Sequence, residues 1–140
     1  MIIPLDPQFA VAPQITPGDV VDIARAGYRA IINNRPEGEE PGQPEGAAIR
    51  QAAEALGLVY TEIPVTHAGF AHPQLDATTA VMADGPVLAF CRSGTRSCML
   101  WALASAKAGA EPADLFRKAA AAGYDLSPVA GMMQALAGGH

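Results

Sequence analysis

Short apolar, β-branched runs alternate along this chain with longer alanine-rich ones, and that alternation constrains the fold more than any other feature. A run such as Val87-Leu88-Ala89-Phe90 has no polar side to turn to water, so as a strand it must be covered on both faces. Alternating strands and helices provide that cover by laying parallel strands into one sheet with helices on either side. The reading is a single α/β domain over residues 1–140, with a central, mostly parallel sheet flanked by helices.

Glycine, proline and capping residues place the elements. Residues 9–12 read as a short strand. Thr16 is a good N-cap and Pro17 suits the first helical position, so a helix runs to about Ala26 and ends at Gly27. A buried strand is expected over 28–33. A loop too rich in glycine and proline for regular structure follows over 34–44. A helix over 47–56 closes at Gly57, and a strand over 58–63 stops at Pro64. The loop 65–73 carries His67 and His72, and 74–82 is helical. After the strand 86–90 and the loop 91–96, helices are expected over 97–108, 111–122 and 127–136.

Composition narrows the function classes. Half of the 140 residues are apolar, which suits one packed core and argues against disorder. A net charge of −5 and the lack of any basic run argue against nucleic acid as a partner. No apolar stretch is long enough to span a membrane, and the first residues do not read as a signal peptide. With only two cysteines, Cys91 and Cys98, a reducing, cytoplasmic setting fits better than a disulfide framework. The scattered His67, His72 and His140 form no zinc spacing with them, so neither metal nor cofactor is expected. Oligomeric state is not legible.

The chemistry concentrates in Cys91-Arg92-Ser93-Gly94-Thr95-Arg96-Ser97, where a buried strand ends, a glycine-containing loop turns and a helix begins. Amides of such a loop converge on one point, and the helix N-terminus adds partial positive charge, so an anion is bound there. Cys91 opens the loop with its sulfur over that point, which stabilises the thiolate. Arg96 can fork two oxygens of a tetrahedral anion. Arg92, Ser93, Gly94 and Thr95 supply the cradle, and Ser97 can donate its hydroxyl to the sulfur and make it a better leaving group. Arg35 follows a strand, so it stands at the sheet edge where α/β proteins bind ligands. It either meets a second substrate anion or pairs with Glu37, Glu39 or Glu40. Cys98 is expected in the core, with a resolving role toward an oxidised Cys91 as the alternative. Trp101 and Met132-Met133 read as packing.

This loop resembles the active-site loops of cysteine-dependent phosphatases and of rhodanese-type sulfurtransferases. Over roughly residues 4–135 the chain resembles the phosphatase-like domain of the beta-lactamase hydrolase-like proteins. Gln14-Ile15, Ile32-Asn33-Asn34-Arg35-Pro36-Glu37-Gly38-Glu39, Gln43-Pro44, Ile63-Pro64-Val65, Phe90 through Ser97 and Leu100-Trp101-Ala102-Leu103 carry the resemblance in order. It implies a dual-specificity-phosphatase-like fold. Some relatives are fused to persulfide-handling enzymes, which keeps sulfur chemistry open.

One departure matters. Tyrosine and dual-specificity phosphatases place five residues between cysteine and arginine, and here there are four, Arg92 to Thr95. That length is closer to a rhodanese loop, and a tighter cradle favours a persulfide sulfur over a phosphoryl group. Phosphatases of this fold also commonly carry an aspartate as general acid on the loop that here reads Pro64-Val65-Thr66-His67-Ala68-Gly69-Phe70. His67 is the proton donor available there, with Asp76 a weaker candidate and His72 a surface residue. The favoured function is a phosphatase with a cysteinyl-phosphate intermediate; a sulfurtransferase with a persulfide on Cys91 is the strongest rival, and a non-catalytic anion- or phosphoprotein-binding domain is a third class that the complete cysteine, arginine and serine positions argue against. The expected partner is a small anionic substrate or a phosphorylated protein.

Overall fold

In the computed structural model, which describes residues 1–139, five strands form one sheet in the order β1-β2-β5-β3-β4. The strands are β1 (Ile3–Asp6), β2 (Phe9–Ala12), β3 (Ala30–Asn33), β4 (Val59–Glu62) and β5 (Val87–Phe90). The helices are α1 (Asp19–Arg25), α2 (Gly46–Ala55), α3 (His72–Met82), α4 (Thr95–Lys107), α5 (Pro112–Ala121) and α6 (Ala130–Gly138), the last entered by a 3-10 turn at Ser127–Val129. β2, β5, β3 and β4 are parallel, and β1 alone is antiparallel, to β2.

Side chains alternate across the strands and divide the core in two. Phe9, Val11, Ala30, Ile32, Val87 and Ala89 face α3, α4, α5 and α6. Ala10, Ala12, Ile31, Leu88 and Phe90 face α1 and α2. All four residues of β5 are buried, as its uninterrupted apolar run requires. α4 is covered nearly all round; its Trp101 is 1% exposed, with its ring centroid 6.3 Å from that of Phe9. Among the described residues no helix is long and apolar enough to cross a membrane.

Several boundaries differ from those read in the sequence. β1 was not expected. It carries Pro4, which lacks an N–H for a ladder and is tolerated because β1 is an edge strand. Thr16 does not cap α1 with its side chain: the helix opens at Asp19, whose carboxylate accepts the Thr16 N–H at 2.8 Å. α3 begins at His72 rather than Gln74, because the Gln74 side chain reaches back to accept the Ala71 N–H at 2.6 Å. α4 begins at Thr95, so Arg96 lies inside its first turn. The fold places two strand ends together: Asn33 pairs with Phe90 in register, so Asn34 and Cys91 leave the sheet side by side at its C-terminal edge.

Candidate active site

The six residues from Cys91 turn tightly between β5 and α4. Cys91 N–H donates to Ala12 O at 3.4 Å, tying the loop's start to β2. Gly94, with φ of 91°, takes the left-handed conformation at the N-cap of α4, which sets its N–H toward Cys91 Sγ at 3.1 Å. Gly94 O in turn accepts the Cys98 N–H at 2.9 Å. The Tyr124 hydroxyl braces the outside of the turn by donating to Ser93 O at 3.1 Å. Ser93 and Thr95 hydroxyls lie 3.0 Å apart, and the side chain of Arg92 points to solvent, its Nη2 3.7 Å from Glu40 Oε2. The first amides of α4 have no preceding helical carbonyl to bond, so they add donors on the same side as the sulfur.

Both cysteines are free and buried. Burial pushes the Cys98 thiol up to about 12, and the negative charge of Cys91 acts in the same direction. Cys98 therefore sits in the core as a neutral thiol, packed within the cluster that holds Leu100 and Leu103.

Arg96 does not point freely into solvent. Its Nη1 donates to Glu39 Oε2 at 2.7 Å and to Val65 O at 2.9 Å, and its Nη2 donates to Glu39 Oε1 at 2.8 Å. These bonds to Arg96 hold the Glu39 carboxyl down at about 2; burial opposes them, and Arg35 adds to them. The Glu39 bonds likewise raise the Arg96 pKa, with Cys91 contributing in the same sense.

Of the two readings of Arg35, the structure gives the ion pair. Arg35 is 3% exposed; its Nε donates to Glu39 Oε1 at 2.9 Å and its Nη1 to Gln14 Oε1 at 3.0 Å. Nη2 lies 2.8 Å from Glu40 Oε1 without an aligned hydrogen bond. At that burial Arg35 is closed off from a substrate anion. The side chain is enclosed because the loop after β3 folds back over it.

Ser97 is also placed differently from the expectation. Its hydroxyl, 1% exposed with the residue, donates to Asn34 Oδ1 at 2.8 Å. Asn34 is locked in turn: Nδ2 donates to Ile63 O at 2.8 Å and its N–H to Phe90 O at 2.8 Å. A hydroxyl has one proton, so Ser97 has none for the sulfur in this arrangement.

His67 lies on the loop beside Arg96. With Glu39, Val65, Thr66, Phe70, Arg96 and Met99 it lines an open cleft of about 440 Å³. Asp76 is excluded as a partner in that cleft: it is bound to Lys107 at 2.7 Å, at the far end of α4, roughly 16 Å along the helix axis from Arg96. His72 is exposed there too, its Nδ1 2.9 Å from Lys107 Nζ. Among the described residues no cluster of three metal-ligating side chains forms. Glu39, Asn34 and Tyr124 are among the site residues that the sequence did not single out for the loop. The acidic residues at 37, 39 and 40 beside Arg35 were the available signal for the first.

Comparison with known proteins agrees with this architecture. The family model for the beta-lactamase hydrolase-like protein, phosphatase-like domain, matches residues 2–108. A beta-lactamase hydrolase-like protein of Xylella fastidiosa is 39% identical over 104 residues, covering 73% of this chain and 24% of the relative. One from Agrobacterium fabrum is 36% identical over 107 residues, 75% of this chain and 25% of its own. The chain thus spans about a quarter of the length of the curated relatives it matches. A solved candidate phosphatase from Neisseria meningitidis superposes with a TM-score of 0.82 at 33% identity, covering 96% of this chain and 97% of its own. Tk-PTP in its active form shares the fold alone, with a TM-score of 0.72 at 15% identity over 98% of this chain and 96% of its own.

Proposed function

The chain belongs to the phosphatase-like domain family of the beta-lactamase hydrolase-like proteins, and from that premise we propose that it is a cysteine-dependent hydrolase of phosphate esters. One observation carries the reading: Cys91 Sγ receives the Gly94 N–H at the mouth of α4, while Arg96 and His67 line one cleft. Cys91 Sγ attacks phosphorus and forms an S–P bond as the ester P–O bond breaks. His67 gives a proton to the departing oxygen. The amides of residues 92–96 and the guanidinium of Arg96 hold the phosphoryl oxygens. Water then attacks phosphorus, giving its proton back to His67, and the S–P bond breaks to release phosphate and the Cys91 thiolate. Ser97 is assigned to support of the loop through Asn34 rather than to the sulfur. A thiolate nucleophile suits a reducing, cytoplasmic compartment, and the substrate is a small phosphate ester or a phosphorylated protein.

The test is hydrolysis of an aryl phosphate by the purified protein. Cys91→Ser should abolish turnover, and Arg96→Lys should lose most of it because an ammonium cannot reproduce the fork. Wild-type activity in Cys91→Ser would overturn the assignment.

A second reading has its own observation. The loop has four residues between Cys91 and Arg96, its central N–H already rests on the sulfur, and the loop 64–70 holds no carboxylate. Those features suit a persulfide on Cys91, formed by sulfur transfer from a sulfane donor such as thiosulfate with release of sulfite. This reaction needs no general acid. Thiosulfate with a thiol acceptor, assayed beside the aryl phosphate, separates the two.

A further inference from the structure

We propose that Gln14, Arg35 and Glu39 form a positioning relay that turns the one unoccupied edge of the Arg96 guanidinium toward the anion bound above Cys91. The inference rests on the reading that Cys91 and its loop hold an anion, and it reassigns Arg35 from substrate contact to support.

A guanidinium carries five N–H groups in one plane. Glu39 takes one from each Nη of Arg96, end-on, and Val65 O takes the second from Nη1. The remaining two are Nε–H and the second N–H of Nη2. They lie on the same edge of the plane, so together they form an intact fork for two oxygens. Glu39 therefore does not fill the anion's place. It holds the end of the Arg96 guanidinium and fixes the plane in which the free fork lies.

Glu39 needs an anchor of its own, because it is carried on a glycine- and proline-rich loop. Arg35 supplies it: Nε–H donates to Glu39 Oε1 at 2.9 Å, the oxygen that also accepts from Arg96 Nη2. Arg35 is itself held through Nη1 by Gln14 Oε1 at 3.0 Å. Gln14 is tied to the active loop, since its N–H donates to Arg92 O at 3.3 Å. The relay therefore starts and ends on the loop that carries Cys91. Because Arg35 is buried, water cannot easily substitute for its bond to Glu39.

The test separates orientation from charge. Glu39→Asp keeps the charge but is one methylene too short to meet both Nη atoms of Arg96 and Nε of Arg35 together. Arg35→Lys keeps the charge but loses the planar fork. Binding of inorganic phosphate is read two ways that do not need turnover: protection of Cys91 from iodoacetamide, and the ¹⁵N-resolved Nε–H resonance of Arg96. In the wild-type chain phosphate should slow alkylation and shift the Nε–H signal. In Glu39→Asp the phosphate needed for half-protection should rise roughly tenfold, the equivalent of one charge-assisted hydrogen bond, and the Nε–H shift should shrink. Arg35→Lys should behave alike. Since it alters a buried site and can unfold the chain, the partly exposed Glu39→Asp carries the decision. Protection of Glu39→Asp equal to wild type, or tighter phosphate binding by Glu39→Ala, overturns the relay alone. No phosphate effect on the wild-type chain overturns the anion-site reading, and the relay with it.

Discussion

Gly94→Ala attacks the turn that sets Cys91, and its cost can be worked from two separate terms. At φ of 91° an alanine sits in the left-handed region, which costs roughly 1–2 kcal/mol. A Cβ there also runs into the Tyr124 hydroxyl, with the ring Cζ 3.1 Å away. Tyr124 must swing out and give up its bond to Ser93 O, a further loss of about 1 kcal/mol. The alanine recovers about 0.5 kcal/mol by restricting the unfolded chain. The net destabilisation is therefore about 1.5–2.5 kcal/mol by urea unfolding, or a fall in Tm of about 5–9 °C for a chain of this size. Tyr124→Phe removes the colliding oxygen but not the ring or the φ penalty. In a double-mutant cycle it should return about 1 kcal/mol to Gly94→Ala. A Gly94→Ala variant within about 0.5 kcal/mol of wild type, or strict additivity in the cycle, would refute this account of the turn.

Three further outcomes are expected. Ser97→Ala strands Asn34 Oδ1 in the core and should cost about 1–3 kcal/mol in urea unfolding; no measurable loss would contradict the role given to that hydroxyl. Glu39 titrates at about 2 when folded against an ordinary 4.5, so its stabilisation is complete above pH 4.5 and is lost as pH falls from there toward 2. Glu39→Gln should flatten the pH–stability curve in that window and leave its shape near neutrality unchanged; an unaltered acid limb would contradict the pairing. Cys98, pushed up to about 12 and buried, should resist iodoacetamide at pH 8 in native Cys91→Ser and react once the chain is unfolded, as peptide masses would report. Rapid native labelling of Cys98 would contradict its place in the core.

What the sequence made legible was local. The strand–loop–helix at 87–97 could be read because each part announces itself within a few residues: an apolar run, a glycine able to turn left-handed, a cysteine at the start. The alternation of runs gave the layers for the same reason. β1 escaped because Pro4 argues against a strand unless one knows it lies at an edge, and edge position is a property of the assembled sheet. The partners of the active loop escaped because they are distant in the chain. Glu39 stands 57 positions before Arg96, and Asn34 63 before Ser97. Ser97 beside Arg96 suggested help for the sulfur, yet the register of β3 against β5 brings Asn34 to its hydroxyl first. Arg35 shows the same limit: its neighbours in sequence named the glutamates, but only the folded loop shows that the side chain is enclosed.

On the proposed mechanism Cys91 takes up the phosphoryl group of a phosphate ester. Rapid acid quench of the protein during turnover of an aryl phosphate, followed by peptide mass analysis and with thiosulfate treatment in parallel, decides this. The Cys91 peptide should carry the added mass of one phosphoryl group, absent from Cys91→Ser. A Cys91 peptide that never carries phosphoryl but gains one sulfur atom from thiosulfate would contradict it and establish the persulfide chemistry instead.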